Sequence, residues 1–238
     1  MNLKEIVSHK VYKTPLSELV IKGACIINTI NPHSYCEAKK DVDFKEALLN
    51  SDVLLPDGSG IVLATKILTG EKIKKIAGAD IHQFLLEKAH ATKQKVFYLG
   101  ASAQTLQLVE ERVIKEFSNI IVASYSPPYK AEFSEQDTNA MISAVNDFMP
   151  DYLFIGMTAP KQEKWVHANK DKLHAKVITS IGAVFDFYAG TIQRSSPFWI
   201  NIGLEWLPRL VREPKRLWKR NLISTPLFLW DLLKAKIL

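Results

Sequence analysis

The chain has 238 residues, of which 47% are hydrophobic and 24% charged, with a formal net charge of +6. That length suits one α/β domain with an appendage or two small domains, and the composition is ordinary for a globular protein. The two cysteines, Cys25 and Cys36, have neither CxxC nor metal-ligand spacing, which excludes a disulfide framework and fits a reducing compartment.

Taken in chain order, the N-terminal stretch MNLKEIVSHKVYKT lacks the apolar core of a signal peptide. Short apolar runs rich in β-formers then alternate with helix-like segments. The expected strands are Ala24–Thr29, Asp52–Leu55, Lys95–Leu99, Ile120–Ser124, Tyr152–Ile155 and Lys176–Ile181. The expected helices are His33–Asn50, Ser59–Thr69, Ala79–Thr92, Ala103–Phe117, Ser134–Phe148 and Pro160–Leu173. Strands apolar on both faces belong in a parallel sheet covered by helices. The alternation predicts a Rossmann-like, doubly wound α/β fold over residues 1–193, with ligands outside the C-terminal ends of the strands. The sequence at those ends is rich in Gly, Pro and small polar residues: Thr29-Ile-Asn-Pro32, Pro56-Asp-Gly-Ser-Gly60, Gly100-Ala-Ser102, Ser126-Pro-Pro-Tyr129, Gly156-Met-Thr-Ala-Pro160 and Gly182-Ala183. Glycine admits close backbone approach to a ligand, and helix N-termini offer N–H groups to an anion.

The texture changes in residues 194–238. This segment has nine Lys/Arg against three acids, a surplus equal to the +6 of the whole chain, and four of the five tryptophans. Pro214 suits the first turn of a helix, and Ser224-Thr-Pro226 reads as a cap followed by a helix start. On a helix from Pro214, the basic residues Lys215, Arg216, Lys219 and Arg220 share one face and Leu217, Trp218 and Leu222 the other. A basic amphipathic helix with an aromatic fits an anionic membrane surface, and Lys215, Trp218 and Arg220 are the expected membrane contacts. No apolar run reaches the roughly 20 residues that span a bilayer. A peripheral protein on the cytoplasmic side is expected.

Among candidate site residues, Asp57 stands between an apolar strand and Gly58-Ser-Gly60. It reads either as a helix N-cap or as a general base at the pocket floor. Thr29 and Asn31 read as turn formers before Pro32 or as ligands for a sugar. Gln162 and Glu163 read as a polar first helical turn, with Gln162 as a sugar or phosphate ligand in the alternative. Asp41-Val-Asp43 has the spacing of a metal-binding DxD, but its helical setting beside Phe44, Ala47 and Leu48 points to a solvated face, so no metal site is assigned. No GxSxG, Walker or GxGxxG pattern is present. The last absence speaks against a dinucleotide oxidoreductase. A nucleic-acid-binding protein would explain the basic tail but not the polar strand ends, and a non-catalytic membrane scaffold would have no need of Asp57 and its neighbours.

Together these stretches, with Ala77-Gly-Ala-Asp80, Ala159-Pro-Lys-Gln-Glu163, Ile181-Gly-Ala183, Phe185-Asp-Phe187 and Gly203-Leu-Glu-Trp-Leu207 running to Arg209, resemble the WecG/TagA/CpsF family of bacterial glycosyltransferases over nearly the whole chain. The resemblance implies an inverting enzyme that moves a sugar from a UDP-sugar to a polyprenyl-diphosphate-linked saccharide at the inner face of the cell membrane. In the teichoic-acid branch the sugar is N-acetylmannosamine. It implies neither metal nor other cofactor, the UDP-sugar being a substrate, and no nucleic-acid partner. It places Asp57 as the base and Thr29, Asn31, Gly100 and Gln162 around the pocket. Arg209 and Arg216 match tail arginines that reach the diphosphate, with Lys219, or Arg220 one residue along, at a third such position. The donor sugar and the oligomeric state stay open.

Overall fold

A computed structural model describes residues 1–21, 23–192, 198–199 and 206–237 of the chain. The chain begins with α1 (Leu3–His9), then runs β1 (Cys25–Ile30), α2 (Pro32–Ala38), α3 (Val42–Leu49), β2 (Val53–Pro56), α4 (Ser59–Thr69) and α5 (Gly78–Thr92). It continues through β3 (Lys95–Gly100), α6 (Ala103–Glu116), β4 (Ile121–Tyr125), α7 (Glu135–Phe148), β5 (Tyr152–Gly156), α8 (Lys161–Asn169), β6 (Val177–Ser180) and α9 (Val184–Ala189). The C-terminal segment contributes α10 (Trp206–Arg212), α11 (Pro214–Trp218), a π-helical turn over Lys219–Ser224, and α12 (Thr225–Ile237).

The strands form one six-stranded parallel sheet in the order β2-β1-β6-β5-β3-β4. Right-handed crossovers then assign the helices to faces. Connections moving toward β2 carry α2, α3, α7 and α8 on one face; those moving toward β4 carry α5 and α6 on the other. The apolar clusters follow this division. Leu85 and Leu86 of α5, Leu106 and Val109 of α6, and Phe185 of α9 pack with Tyr98 and Phe154 of the sheet. Met141 and Val145 of α7 and Trp165 and Val166 of α8 pack with Leu99, Leu153 and Ile155. A further cluster joins α1, α2, α3 and α4 around Tyr35, Phe44 and Ile61. The doubly wound α/β expectation holds, and every expected strand is present within one residue at its N-terminal end.

The helices differ from expectation in four places. The helix expected over His33–Asn50 is two, because Asp41 leaves helical geometry and accepts a hydrogen bond from Phe44 N at 3.0 Å as the N-cap of α3. Its carboxylate also meets Lys164 at 3.0 Å, with Asp43 3.5 Å from the same ammonium, so Asp41 is a cap and ion-pair partner rather than part of a solvated helical face. The unexpected α1 exists because Asn2 caps Lys4 N and Glu5 N while Leu3, Ile6 and Val7 are buried. The sequence reading also assigned nothing to α9. Finally, Ser224-Thr-Pro226 does not start a new helix. Pro226 has no N–H for the carbonyl of Leu222 and its ring crowds that carbonyl. The π-helical turn before it widens the helix there, and the chain runs on into α12 without a break.

The inner side of α12 belongs to the body. Phe228 is fully buried, edge-on to Tyr35 with ring centroids 5.5 Å apart, and Leu232 joins it in the cluster behind α2 and α4. Lys39 Nζ pairs with Asp231 at 2.6 Å, the Ser224 hydroxyl lies 2.9 Å from His33 Nδ1, and Cys36 Sγ donates to Ser224 O at 3.3 Å.

Candidate active site

Four adjacent strands, β2, β1, β6 and β5, deliver their C-terminal loops to one rim of the sheet. The first two strand ends carry Asp57, just past β2, and Asn31, just past β1, while Thr29 lies inside β1, paired with Leu55, and not in the turn before Pro32. The backbone N–H of Asp57 donates to Ile30 O at 2.9 Å, extending the β1–β2 pairing one residue past the strand and fixing Asp57 beside the end of β1. The N-cap position of α4 belongs to Gly58, at φ +100°, and not to Asp57. At Gly58 the chain passes through a conformation open to glycine before the helix begins. Gly60 has a second reason to be glycine. A Cβ there would overlap Pro32 Cγ, so the N-termini of α2 and α4 can approach only because Gly60 has no side chain. This pressing-together brings Gly58 to Asn31, whose Cβ would stand 3.9 Å from a Cβ on Gly58.

Asn31 does fill the turn-forming role its sequence suggested. Its Oδ1 accepts from His33 N and Ser34 N, each at 3.0 Å, and Ser34 Oγ accepts from Asn31 N at 2.8 Å. The capping box leaves the Asn31 Nδ2 amide unused by the cap. Next along, His33 is held toward its neutral form, first by burial and then by the positive charge of Arg220. Among the described residues, the tail charge that reaches the start of α2 is that of Arg220. Lys219 is exposed, 5.8 Å from the Trp218 ring centroid.

The loop after β5 brings Gln162. Its neighbour Glu163 is equally buried, both being 4% exposed, which replaces the solvated first turn expected for α8. Gln162 Oε1 accepts from Met157 N at 3.2 Å and its Nε2 donates to Glu163 Oε1 at 2.8 Å. A Cβ on Gly182, in the loop after β6, would lie 3.6 Å from Gln162 Nε2, so this carboxamide joins the β5 and β6 loops. Burial drives the Glu163 carboxyl up to about 7, outweighing the Gln162 hydrogen bond that pulls it down. For Gln162 the sequence did hold a signal: Gln162, Trp165, Val166 and Asn169 recur at helical spacing and all are buried. Gly100 sits at φ +126° against Gly156, where a Cβ would overlap the Gly156 carbonyl, and Ala101 N donates to Gly156 O at 3.0 Å. Its glycine identity is explained by that backbone contact between β3 and β5.

Arg209 and Arg216 lie on α10 and α11, and their side chains fall outside the described residues, as does the segment Arg194-Ser-Ser-Pro197. The tail turns an apolar surface outward. Trp206, Val211, Trp218, Leu222, Trp230 and Leu233 are each at least 41% exposed. This departs from the face expected on α11: Leu217 is buried while Trp218 and Leu222 stand out among the basic residues. Lys215 is exposed, and Lys234 Nζ lies 5.1 Å from the Trp230 ring centroid. Among the described residues no helix is long and apolar enough to cross a membrane.

Comparison with known proteins adds a family to this geometry. Residues 6–238 match the family described as "Glycosyl transferase WecG/TagA/CpsF family". The chain is 32% identical over 215 residues to the N-acetylglucosaminyldiphosphoundecaprenol N-acetyl-beta-D-mannosaminyltransferase of Bacillus subtilis strain 168, covering 90% of this chain and 81% of that one. It is similarly 32% identical to the protein of that name from Bacillus spizizenii, over 90% of this chain and 80% of the relative. To the one from Staphylococcus aureus strain MW2 it is 27% identical, over 88% and 80%. With a matching family over almost its full length and a doubly wound sheet beneath the matched motifs, this chain belongs to the WecG/TagA/CpsF family of glycosyltransferases.

Proposed function

We propose that this glycosyltransferase moves N-acetylmannosamine or a related sugar from a UDP-sugar to a polyprenyl-diphosphate-linked saccharide, with inversion and without a metal, in cell-surface polymer synthesis such as teichoic acid. The names of the relatives support the acceptor and the transferred sugar. The observation that carries the reading is Asp57, fixed at the end of β1 beside Asn31, with Gly58 rather than Asp57 at the N-cap of α4.

In the proposed reaction the acceptor hydroxyl attacks the anomeric carbon as the bond to UDP breaks, and its proton passes to the Asp57 carboxylate. Thr29, the Asn31 amide and Gln162 would position the sugars. The charge growing on the departing diphosphate would be met by helix N-termini at the rim and by Arg209, Arg216 and Lys219, or Arg220 at that position. The outward apolar and basic surface of the tail supports attachment to an anionic membrane, where the lipid-linked acceptor resides. Large exposed aromatic and aliphatic side chains suit a bilayer and have no use for a nucleic-acid backbone. Setting tail cations over the pocket only at the membrane would limit wasteful hydrolysis of the donor.

The test is release of UDP from a panel of UDP-sugars with a short-chain polyprenyl-diphosphate-linked N-acetylglucosamine acceptor, with and without chelator. Asp57→Asn should fold normally and lose roughly 10²- to 10⁴-fold in rate. Near-normal transfer by that variant would remove Asp57 from the base role, and a rate abolished by chelator would overturn metal independence.

A further inference from the structure

We propose that Glu163 is a positioning residue of the transfer site: its buried carboxyl holds the Gln162 carboxamide in place and must stay neutral for the site to accept a diphosphate-linked donor. This rests on the transfer reading above.

The geometry begins with two side chains on one turn of α8, each 4% exposed. Gln162 spends Oε1 on Met157 N and one Nε2 hydrogen on Glu163 Oε1, which fixes its amide orientation and leaves its second N–H for the rim beneath Gly182. Without Glu163 the carboxamide would lose one of the two partners that hold it. The second carboxyl oxygen, Oε2, is buried with no hydrogen-bond partner. That is costly for a carboxylate and readily met by a neutral acid, whose O–H needs one acceptor. Acceptors exist on this face of the sheet. Asn28 and Ser180 stand one residue beyond the Ile27–Thr179 pairing, and Asn28 Oδ1 and Ser180 Oγ are likewise buried without partners.

Among the described residues no cation compensates a charge on Glu163. On α8 itself, Lys164 is engaged by Asp41 and Asp43 of α3, and Lys161 turns to Lys130 O at 2.5 Å and the Phe133 ring. His167 lies on the same helix, Lys45 and Glu46 on α3, and Lys170, Asp171 and Lys172 in the turn after α8. At the start of β6, Lys176 pairs with Asp151 at 2.6 Å. None of these is a cause of the shift to about 7, which burial dominates. Above that value a buried negative charge would sit behind the carboxamide that faces the donor. One unit charge about 10 Å from a single phosphate charge at an effective dielectric near 20 weakens binding on the order of tenfold, a lower bound for the two charges of a diphosphate.

The experiment compares the full chain with Glu163→Gln and Glu163→Leu, measuring donor KM and kcat with UDP-N-acetylmannosamine from about pH 5.5 to about pH 8.5. The Gln162 side-chain amide is followed by NMR over the same range. Wild type should show a donor KM rising on the order of tenfold above about pH 7, and a Gln162 Nε2 signal that titrates at the same pH. Glu163→Gln keeps an acceptor for Gln162 and cannot ionise, so its KM should stay at the low-pH value and its amide signal should not titrate. Glu163→Leu should raise KM at every pH. Identical KM profiles in wild type and Glu163→Gln would overturn the proposal, as would an amide signal that does not titrate in wild type. If no UDP-sugar is turned over by wild type, the transfer reading itself fails, and the amide titration alone then upholds or refutes the Glu163–Gln162 linkage.

Discussion

The neutral state of Glu163 has a consequence for stability that needs no substrate. In the folded chain the carboxyl titrates at about 7, against an ordinary value of 4.5. Between those two values the native protein holds a proton that the unfolded chain has lost, so stability falls as pH rises. The contribution is complete below the unfolded value and gone above the folded one. Each unit is worth about 1.4 kcal/mol, so the shift from 4.5 to about 7 amounts to about 3 kcal/mol. Between about pH 5 and about pH 8 most of this, about 2–3 kcal/mol, is accessible. Glu163→Gln removes this titration while leaving every other one in place. Urea unfolding of both proteins at matched pH therefore isolates it. The wild-type curve should descend relative to the variant by about 2–3 kcal/mol across that interval. Depressed carboxyls such as Asp137 and Asp151, whose stabilising effect is lost toward acid, are common to both and cancel. Parallel curves, differing by less than about 1 kcal/mol in slope across the range, would show that Glu163 is ionised like a surface carboxylate and refute the reasoning.

Two further outcomes follow from the tail. Phe228→Ala empties a fully buried site between Tyr35 and Gly60 and should cost about 3–5 kcal/mol in urea unfolding; a loss under about 1 kcal/mol would mean that α12 is not part of the core. Replacing Trp218 and Trp230, 44% and 57% exposed, with Glu should leave unfolding free energy nearly unchanged and weaken binding to vesicles containing anionic lipid at least about tenfold, read by cosedimentation. Unchanged vesicle binding would take these side chains out of the membrane contact.

The sheet was legible because each strand is apolar on both faces and closed by small polar or glycine residues, a pattern that parallel pairing dictates directly. The placement of Asp57 and Asn31 just past β2 and β1 was legible for the same reason: the ends of strands are where side chains are released from the core. The misses share another cause, which is tertiary burial of residues whose local preference is for solvent. Glu163 follows Lys161 and Gln162 at a helix start, where acids ordinarily face water and favour the helix dipole. Only the packing of α8 on α3 and β6 turns it inward. Asp41 failed differently: a cap and a solvated helical face have the same composition, and the distinction lies in one backbone angle, ψ +109° at Asp41.

The tail shows most clearly what composition leaves undivided. Leu227, Phe228, Leu229, Trp230, Leu232 and Leu233 read as one apolar run, yet on a helix they cannot all face the same way. Phe228 and Leu232, four apart, enter the cluster behind α2 and α4, while Leu227, Trp230 and Leu233 point out. The inner pair reaches the site from behind. Phe228 lies 3.4 Å from where a Cβ on Gly60 would be, and Gly60 is the residue that lets α4 meet Pro32 next to Asn31. Ser224 holds His33 two residues past Asn31, and Arg220 bears on the same imidazole. A helix apolar on both sides is therefore serving two surfaces at once. Its inner side is packed against the two helix starts that carry Asn31 and follow Asp57, and its outer side exposes Leu227, Trp230 and Leu233. Phe228 and Ser224 are the contacts by which the tail meets those helix starts.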